Sequence, residues 1–252
     1  MRINTPDFLV VIPARLGSTR LPCKPLADIA GKPMIIHVAE RAKLSLAQSV
    51  VVATDSAEIQ AVCDEHRIEC LLTSADHSTG TDRIAEVAKL LELPEDTLIV
   101  NVQGDEPLIP PELINQVAQT LADSPACAIS TVAAPITEPL EINNPNVVKV
   151  VLSRSGEALY FSRSAIPFIR DPKSTSTITY LRHLGIYAYR ADFLQAYSRL
   201  EPAPLEQAEA LEQLRALWNG YRIAVHTTSE APPAGVDTAE DLERVRQILT
   251  NL

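Results

Sequence analysis

Phe8-Leu9-Val10-Val11-Ile12-Pro13-Ala14-Arg15 decides how the rest of the chain is read. From Phe8 to Ile12 both alternating sets of positions are apolar and rich in β-branched residues, a pattern that suits a strand covered on both faces. Pro13 is expected to end it. The residues that follow are rich in proline and charge, so the chain leaves the strand through a polar loop.

The same signature returns at Val50 to Thr54, Ile68 to Leu72 and Thr97 to Val102, and helical patterns lie between: from Pro33 through Met34, Ile35, Val38 and Ala42, from Ser56 to Glu65, and from about Asp82 to Leu91. Strands alternating with helices of this length imply βαβ units, hence an α/β fold with a doubly wound, mostly parallel sheet. The second half changes character. Ala126 to Ala134, Val147 to Leu152 and Leu184 to Tyr189 read as strands without a helix between each pair, so this part of the sheet is expected to be mixed or antiparallel. Pro139 to Asn146 and Arg170 to Thr179 read as surface loops. Leu205, Ala208, Leu211, Leu214 and Trp218 form one helical stripe, and a strand from Arg222 to His226 and a helix from Ala239 to Leu249 close the chain. At 252 residues a single domain is the economical reading, with roughly 126–200 as a smaller substrate or dimerisation subdomain.

Hydrophobic residues make up 46% and charged residues 21%, proportions that exclude disorder as the default state. The formal net charge of -10 repels polyanions and excludes a nucleic-acid footprint, so any phosphate binding must be local. Cys23, Cys63, Cys70 and Cys127 show no C-x-x-C pair and read as reduced thiols. There is no signal-peptide pattern and no apolar run long enough to span a bilayer, so a cytoplasmic protein without membrane contact is expected.

Ligands of open α/β sheets bind beyond the carboxyl ends of the strands, which directs attention to three loops. The first, Pro13 to Pro25, carries Arg15, Arg20 and Lys24 with Ser18 and Thr19, a composition suited to a triphosphate or to a solvated basic loop. It matches neither the P-loop nor the dinucleotide glycine fingerprint, which disfavours a Rossmann dehydrogenase. The second, Asn101 to Pro107, offers Asp105 either as a Mg²⁺ ligand or as part of a Gly-Asp turn. The third, Gly235 to Asp241, offers Asp237 as a second metal ligand, although Thr238 with Asp241 also resembles a capping box. Asp55 with Glu58 reads as a helix cap. His37, His66, His77 and His226 read as structural residues, and so, from sequence alone, does His183.

Eight ordered motifs, I-P-A-R-x-x-S-T-R-L-P-x-K-P, A-T-D, G-T-D-R, V-Q-G-D-E-P, A-L-Y-F-S-R, H-L-G-I-Y, L-E-Q-L-R and G-V-D-T-x-E-D-L, resemble the 3-deoxy-manno-octulosonate cytidylyltransferases across nearly the whole chain. The resemblance implies a Rossmann-like nucleotidyltransferase that moves CMP from CTP to 3-deoxy-D-manno-octulosonate (Kdo), activating it for lipopolysaccharide biosynthesis. It implies that Arg15 and Lys24 bind the CTP phosphates, that Ser18 also binds the nucleotide, that Gly80, Thr81 and Arg83 lie near the cytidine, and that Asp105 and Asp237 hold Mg²⁺, with two ions when CTP is bound. It further implies that Arg15, Lys24 and Asp105 carry the catalysis and that Gln103, Arg163, His183, Tyr187, Glu212 and Gln213 surround Kdo. A homodimer is implied too. Related sugar acids such as a sialate or an amino-Kdo, and a non-catalytic CTP-binding module, are the alternative readings. Two positions depart from the family pattern: Cys23 stands at a usual glycine and Thr79 at a usual serine. If the former requires positive φ, cysteine there costs on the order of 1 to 2 kcal/mol.

Overall fold

Alternation along the first strand, β1 (Phe8–Ala14), sends Phe8, Val10 and Ile12 to one face of a sheet and Leu9 and Val11 to the other. Both faces are buried, which is what the unbroken apolar run requires. In this computed structural model, which describes residues 6–17, 21–77, 79–171 and 178–250, the remaining strands are β2 (Asp28–Ile29), β3 (Lys32–Pro33), β4 (Ser49–Thr54), β5 (Glu69–Leu72), β6 (Leu98–Asn101), β7 (Ile129–Pro135), β8 (Lys149–Leu152), β9 (Ala158–Ser162), β10 (Leu181–Arg190) and β11 (Ile223–Thr227). The helices are α1 (Met34–Lys43), α2 (Ala57–Glu65), α3 (Gly80–Leu90), α4 (Pro111–Ala122), α5 (Pro139–Ile142), α6 (Ala191–Tyr197), α7 (Pro204–Glu209), α8 (Gln213–Trp218) and α9 (Ala239–Thr250). Among the described residues nine strands make one sheet in the order β11-β7-β10-β6-β1-β4-β5, with β8 beside β10 and β9 beside β8.

β1 runs parallel to both β4 and β6, and β4 parallel to β5. The change of direction comes at β10, which is antiparallel to β6, β7 and β8. The mixed second half expected from helix-poor sequence is therefore this one long strand and its neighbours. Helices α1, α2 and α4 cover one face, and α3, α6 and α8 the other. A third apolar cluster of Ile29, Met34, Val236, Leu242 and Val245 seats α9 against the β2–β3 hairpin. That contact brings the chain's last loop back to the loop after β1.

Several elements differ from the sequence reading. Pro13 lies inside β1, opposite Ala53, and the strand continues to Ala14. Pro33 belongs to β3 and precedes α1 with an extended ψ of 143°. The stripe from Leu205 to Trp218 is two short helices, because Ala210 between them takes a left-handed φ of +50°. Residues 139–142 of one expected loop form a helical turn, and residues 172–177 of the other lie outside the described residues. Helices α4 and α6 and strand β9 have no counterpart in the sequence reading.

The β8–β9 region is tied down by a buried cation. Lys149 is fully buried, and its ammonium donates to the carbonyls of Asn144 (2.9 Å), Val147 (2.6 Å) and Arg163 (2.5 Å), which uses all three of its hydrogens. Replacing it with methionine keeps the stem and leaves three carbonyls unmet. Lys149→Met is expected to lower unfolding stability by about 3 kcal/mol, read as a fall in the urea midpoint; an unchanged midpoint would exclude the anchoring role.

Candidate active site

The carboxyl ends of β1 and β6 and the start of α3 open on a cavity of about 420 Å³ walled by Arg15, Lys24, Gly80, Arg83, Gln103, Asp105, Glu212 and Asp237, among others. A second cavity of about 410 Å³ continues from it toward α6 and α8, with Thr81, Asn101, Tyr187, Tyr189, Tyr197 and Gln213 in its wall. Gly80, Gln103, Asp105 and Glu212 line both, so these residues stand where the two spaces meet.

Close backbone approach builds that junction. A Cβ on Gly104 would meet the Pro13 carbonyl oxygen at 2.9 Å, and one on Gly235 would meet the Asp105 carbonyl oxygen at 3.0 Å. Glycine at both positions lets the loop after β6 pack between the loop after β1 and the loop before α9, where Val236 N–H donates to the Asp105 carbonyl at 2.8 Å. Lys24 then bridges all three segments: its ammonium lies 2.7 Å from Asp105 Oδ2, 3.2 Å from Asp237 Oδ1 and 3.0 Å from the Val236 carbonyl. Burial alone would lower the Lys24 pKa, but the bonds and charges of Asp105 and Asp237 prevail and raise it. The start of α9 is capped by Thr238 and Asp241, each bonding the other's backbone N–H. Capping thus falls to these two, and the Asp237 carboxylate faces Lys24.

Helix α3 supplies the opposite lining. Thr79 caps it by accepting from Asp82 N–H at 3.1 Å, so the hydroxyl that replaces the usual serine serves the same geometry. Arg83, buried one turn in, donates to the Thr73 hydroxyl and to Asp55 Oδ2 at 2.9 Å. Asp55 is therefore an arginine partner and not the expected cap of α2, a role taken by Ser56, which accepts from Ile59 N–H at 3.3 Å.

The second cavity is aromatic with polar ends. Tyr187 and Tyr189 stack at 5.8 Å, and burial pushes both phenols well above the ordinary tyrosine range. Asn101 Oδ1 and Gln213 Nε2 are buried without a hydrogen-bond partner among the described residues, an arrangement that leaves an acceptor and a donor for a polar ligand. Glu212 faces both cavities; the protein mass around it strips water and raises its pKa, against the pull of the Thr81 hydroxyl 3.2 Å away. Glu106, the next residue after Asp105, lies outside both linings, with its carboxyl pushed up to about 8 by burial and by the charge of Asp105.

Most residues singled out in the sequence thus come together: Arg15, Lys24, Gly80, Arg83, Gln103, Asp105, Glu212 and Asp237 in the first cavity, Thr81, Tyr187 and Gln213 in the second. Ser18 lies outside the described residues. Arg163 and His183 line neither cavity. The Arg163 guanidinium donates to the carbonyls of Glu209 (2.6 Å), Pro145 (3.0 Å) and Ala210 (3.4 Å), which holds the turn that leads into Glu212 and Gln213. His183 is half-buried, with its ring packed between those of Phe161 and Tyr187, and loss of water around it pushes its pKa down to about 3. Because the Thr131 hydroxyl donates to the Ile186 carbonyl at 2.6 Å, it accepts from His183 Nε2 at 2.9 Å, and the ring is a neutral support behind Tyr187. Asn101, Tyr189 and Tyr197 are cavity residues that the sequence reading missed. Asn101 had a signal, a polar residue closing an apolar strand just before Gln103; the tyrosines look like ordinary core aromatics.

A sequence profile of the family described as Cytidylyltransferase matches residues 9–223. The 3-deoxy-manno-octulosonate cytidylyltransferase of Polynucleobacter necessarius subsp. necessarius is 81% identical over 246 residues, covering 98% of this chain and 97% of the relative. The chain belongs to the 3-deoxy-manno-octulosonate cytidylyltransferases. The family member from Polynucleobacter asymbioticus is 80% identical over 248 residues, 98% of each chain. A solved structure of CMP:2-keto-3-deoxy-manno-octonic acid synthetase complexed with CTP superposes with a TM-score of 0.90 at 42% identity, covering 98% of this chain and 99% of that one. A cytidylyltransferase from Leptospira borgpetersenii, 18% identical with a TM-score of 0.64 over 98% of this chain and 88% of that one, shares the fold.

The position where this family member carries cysteine is indeed left-handed: Cys23 has φ +53° and precedes the 3-10 turn Lys24–Leu26, which presents Lys24. Cys23→Gly removes the side-chain strain while adding chain entropy to the unfolded state. The net expectation is a gain of about 0.5 to 1 kcal/mol in urea unfolding, and no gain would mean that the strain is relieved elsewhere.

Proposed function

We propose that this protein transfers CMP from CTP to Kdo, giving CMP-Kdo and pyrophosphate, and so activates the sugar for lipopolysaccharide biosynthesis in the cytoplasm. The observation that carries the reading is Asp105 at the junction of two cavities, one bordered by Arg15, Lys24 and Asp237, the other by tyrosines, Asn101 and Gln213. Nucleotide and sugar acid held in the two spaces would meet at that carboxylate.

Mg²⁺ fits the donors present. Asp105, Asp237 and the Val236 carbonyl already converge on one cation, the Lys24 ammonium, and Mg²⁺ commonly takes one or two carboxylates with phosphate oxygens completing its shell. Bound there, the ion supplies charge neutralisation at the phosphates and acidifies the attacking hydroxyl. Lys24 and Arg15 hold the triphosphate and offset the charge that grows on the leaving pyrophosphate. Gln103, Glu212 and Gln213 orient Kdo by hydrogen bonds. Its anomeric oxygen bonds the α-phosphorus, the bond from that phosphorus to the bridging oxygen breaks, the hydroxyl proton passes to solvent, and no protein nucleophile is required.

Pyrophosphate release from CTP and Mg²⁺ should be fastest with Kdo when a sialic acid and an amino-Kdo are offered in parallel. Asp105→Asn should cut kcat by about 100-fold at saturating Mg²⁺. Near-normal turnover of that variant would remove Asp105 from the reaction, and release with none of the acids would favour a CTP-binding module.

A homodimer, joined through the smaller region 126–200, belongs to the same proposal. Leu140, Leu159 and Phe168 there are 89%, 62% and 85% exposed, large apolar side chains that a partner subunit would cover. Sedimentation should give a dimer whose dissociation constant rises in Phe168→Arg; a monomeric wild type would refute this part.

A further inference from the structure

His77 forms the partition between the 420 Å³ cavity and a groove of about 700 Å³ bordered by Asp82, Glu86, Lys89, Gln195 and Arg199. Its Nε2 is 2.5 Å from Glu86 Oε2, and the same carboxylate oxygen accepts Ser74 N–H at 2.8 Å. Burial would raise the Glu86 pKa, but the His77 bond, the Ser74 N–H and the charges of His77 and Arg83 hold it low. Glu86 is thus an ionised acceptor, which places a hydrogen on Nε2 and leaves Nδ1 as the ring atom for any other partner. The backbone around the ring is also fixed, by Asp76 N–H on the Ser74 hydroxyl at 3.1 Å and by the Thr79–Asp82 cap. A lone histidine serving only to fill space needs none of this apparatus.

We propose that His77 is a nucleotide-positioning residue that contacts the nucleoside half of the bound nucleotide, with Glu86 orienting it from behind. This rests on reading the first cavity as the CTP site. The choice of the nucleoside half follows from charge. His77 and Arg83 share a wall in which the imidazole and the guanidinium are each already met by a carboxylate, Glu86 and Asp55 respectively. Such a wall offers directed hydrogen bonds with little net charge, which suits base and ribose groups better than phosphates. Arg15, exposed on the same cavity beside Lys24, is the better phosphate partner.

The test compares ligands in titration calorimetry on the full-length protein, with turnover measured alongside. His77→Ala should weaken CMP and CTP by a similar factor of about tenfold and leave inorganic tripolyphosphate unchanged. In turnover the KM for CTP should rise by about the same factor, with kcat and the KM for Kdo within about twofold of wild type. Glu86→Gln should move CMP affinity in the same direction by about threefold, and the double variant should match His77→Ala, because Glu86 acts through the ring. CMP affinity unchanged in His77→Ala, equal loss for tripolyphosphate, or additive losses in the double variant would each overturn the proposal. A wild-type protein that binds CMP but releases no pyrophosphate with Kdo would sink the activity reading instead, while the CMP and tripolyphosphate arms still decide the role of His77.

Discussion

Two carboxylates of like charge can be packed beside one another only if something between them is positive, and here that is the Lys24 ammonium. The three groups come from positions 24, 105 and 237, so the ion triple ties the first loop, the middle of the sheet and the last loop into one corner. Its geometry depends on backbone as much as on charge. Gly104 lies against the Pro13 carbonyl and Gly235 against that of Asp105, and a side chain at either position would push the loops apart. The left-handed Cys23 turns the chain just before Lys24, whose ammonium reaches both aspartates. Each device is local, yet none has a purpose without the other two loops.

The same corner explains how an acidic protein is equipped for an anionic nucleotide. A net charge of -10 spread over the surface does not set the potential inside a cleft, where distances of 3 Å and reduced water dominate. What matters is how each cation is met before a ligand arrives. Arg83 is held by Asp55, Lys24 by two aspartates, and Arg15 stands exposed at the rim. The cavity is therefore graded, from a wall of compensated hydrogen-bonding groups at α3 to exposed positive charge on the loop after β1.

How legible this was depended on whether a residue's role was set by near neighbours or by distant ones. The doubly wound sheet could be read from Phe8 to Ile12 because two-sided burial leaves a mark on every residue of the strand. The break at Ala210 could not, since Leu205, Leu211, Leu214 and Trp218 keep helical spacing and the left-handed alanine is imposed by the Arg163 and Glu209 contacts that cross from β9. Asp55 beside Glu58 looked like a cap because local sequence offers that role; its true partner, Arg83, is 28 positions away. Asp105 and Asp237 were recognisable through their motifs, whereas the reason they converge, Lys24 and two glycines, is visible only in three dimensions. Tyr189 and Tyr197 were illegible for a different reason: a tyrosine lining a cavity and one filling a core have the same neighbours on three sides.

The second cavity carries the argument about substrate class furthest. Folded proteins rarely leave a buried amide atom unmet, because each costs about 1 to 3 kcal/mol, so the unmet Asn101 Oδ1 and Gln213 Nε2, on two residues that line one cavity, point to a polar ligand there. An acceptor on β6 and a donor on α8, in a cavity that tyrosine rings also line, match a ring that bears several hydroxyls, whose apolar C–H faces would lie on the aromatics. The supports stand one layer back. His183 is neutral and wedged behind Tyr187, and Arg163 fixes the turn before Glu212 and Gln213. A cavity whose walls are braced in this way is preorganised, and the entropy of ordering those side chains is spent in folding, before any ligand arrives.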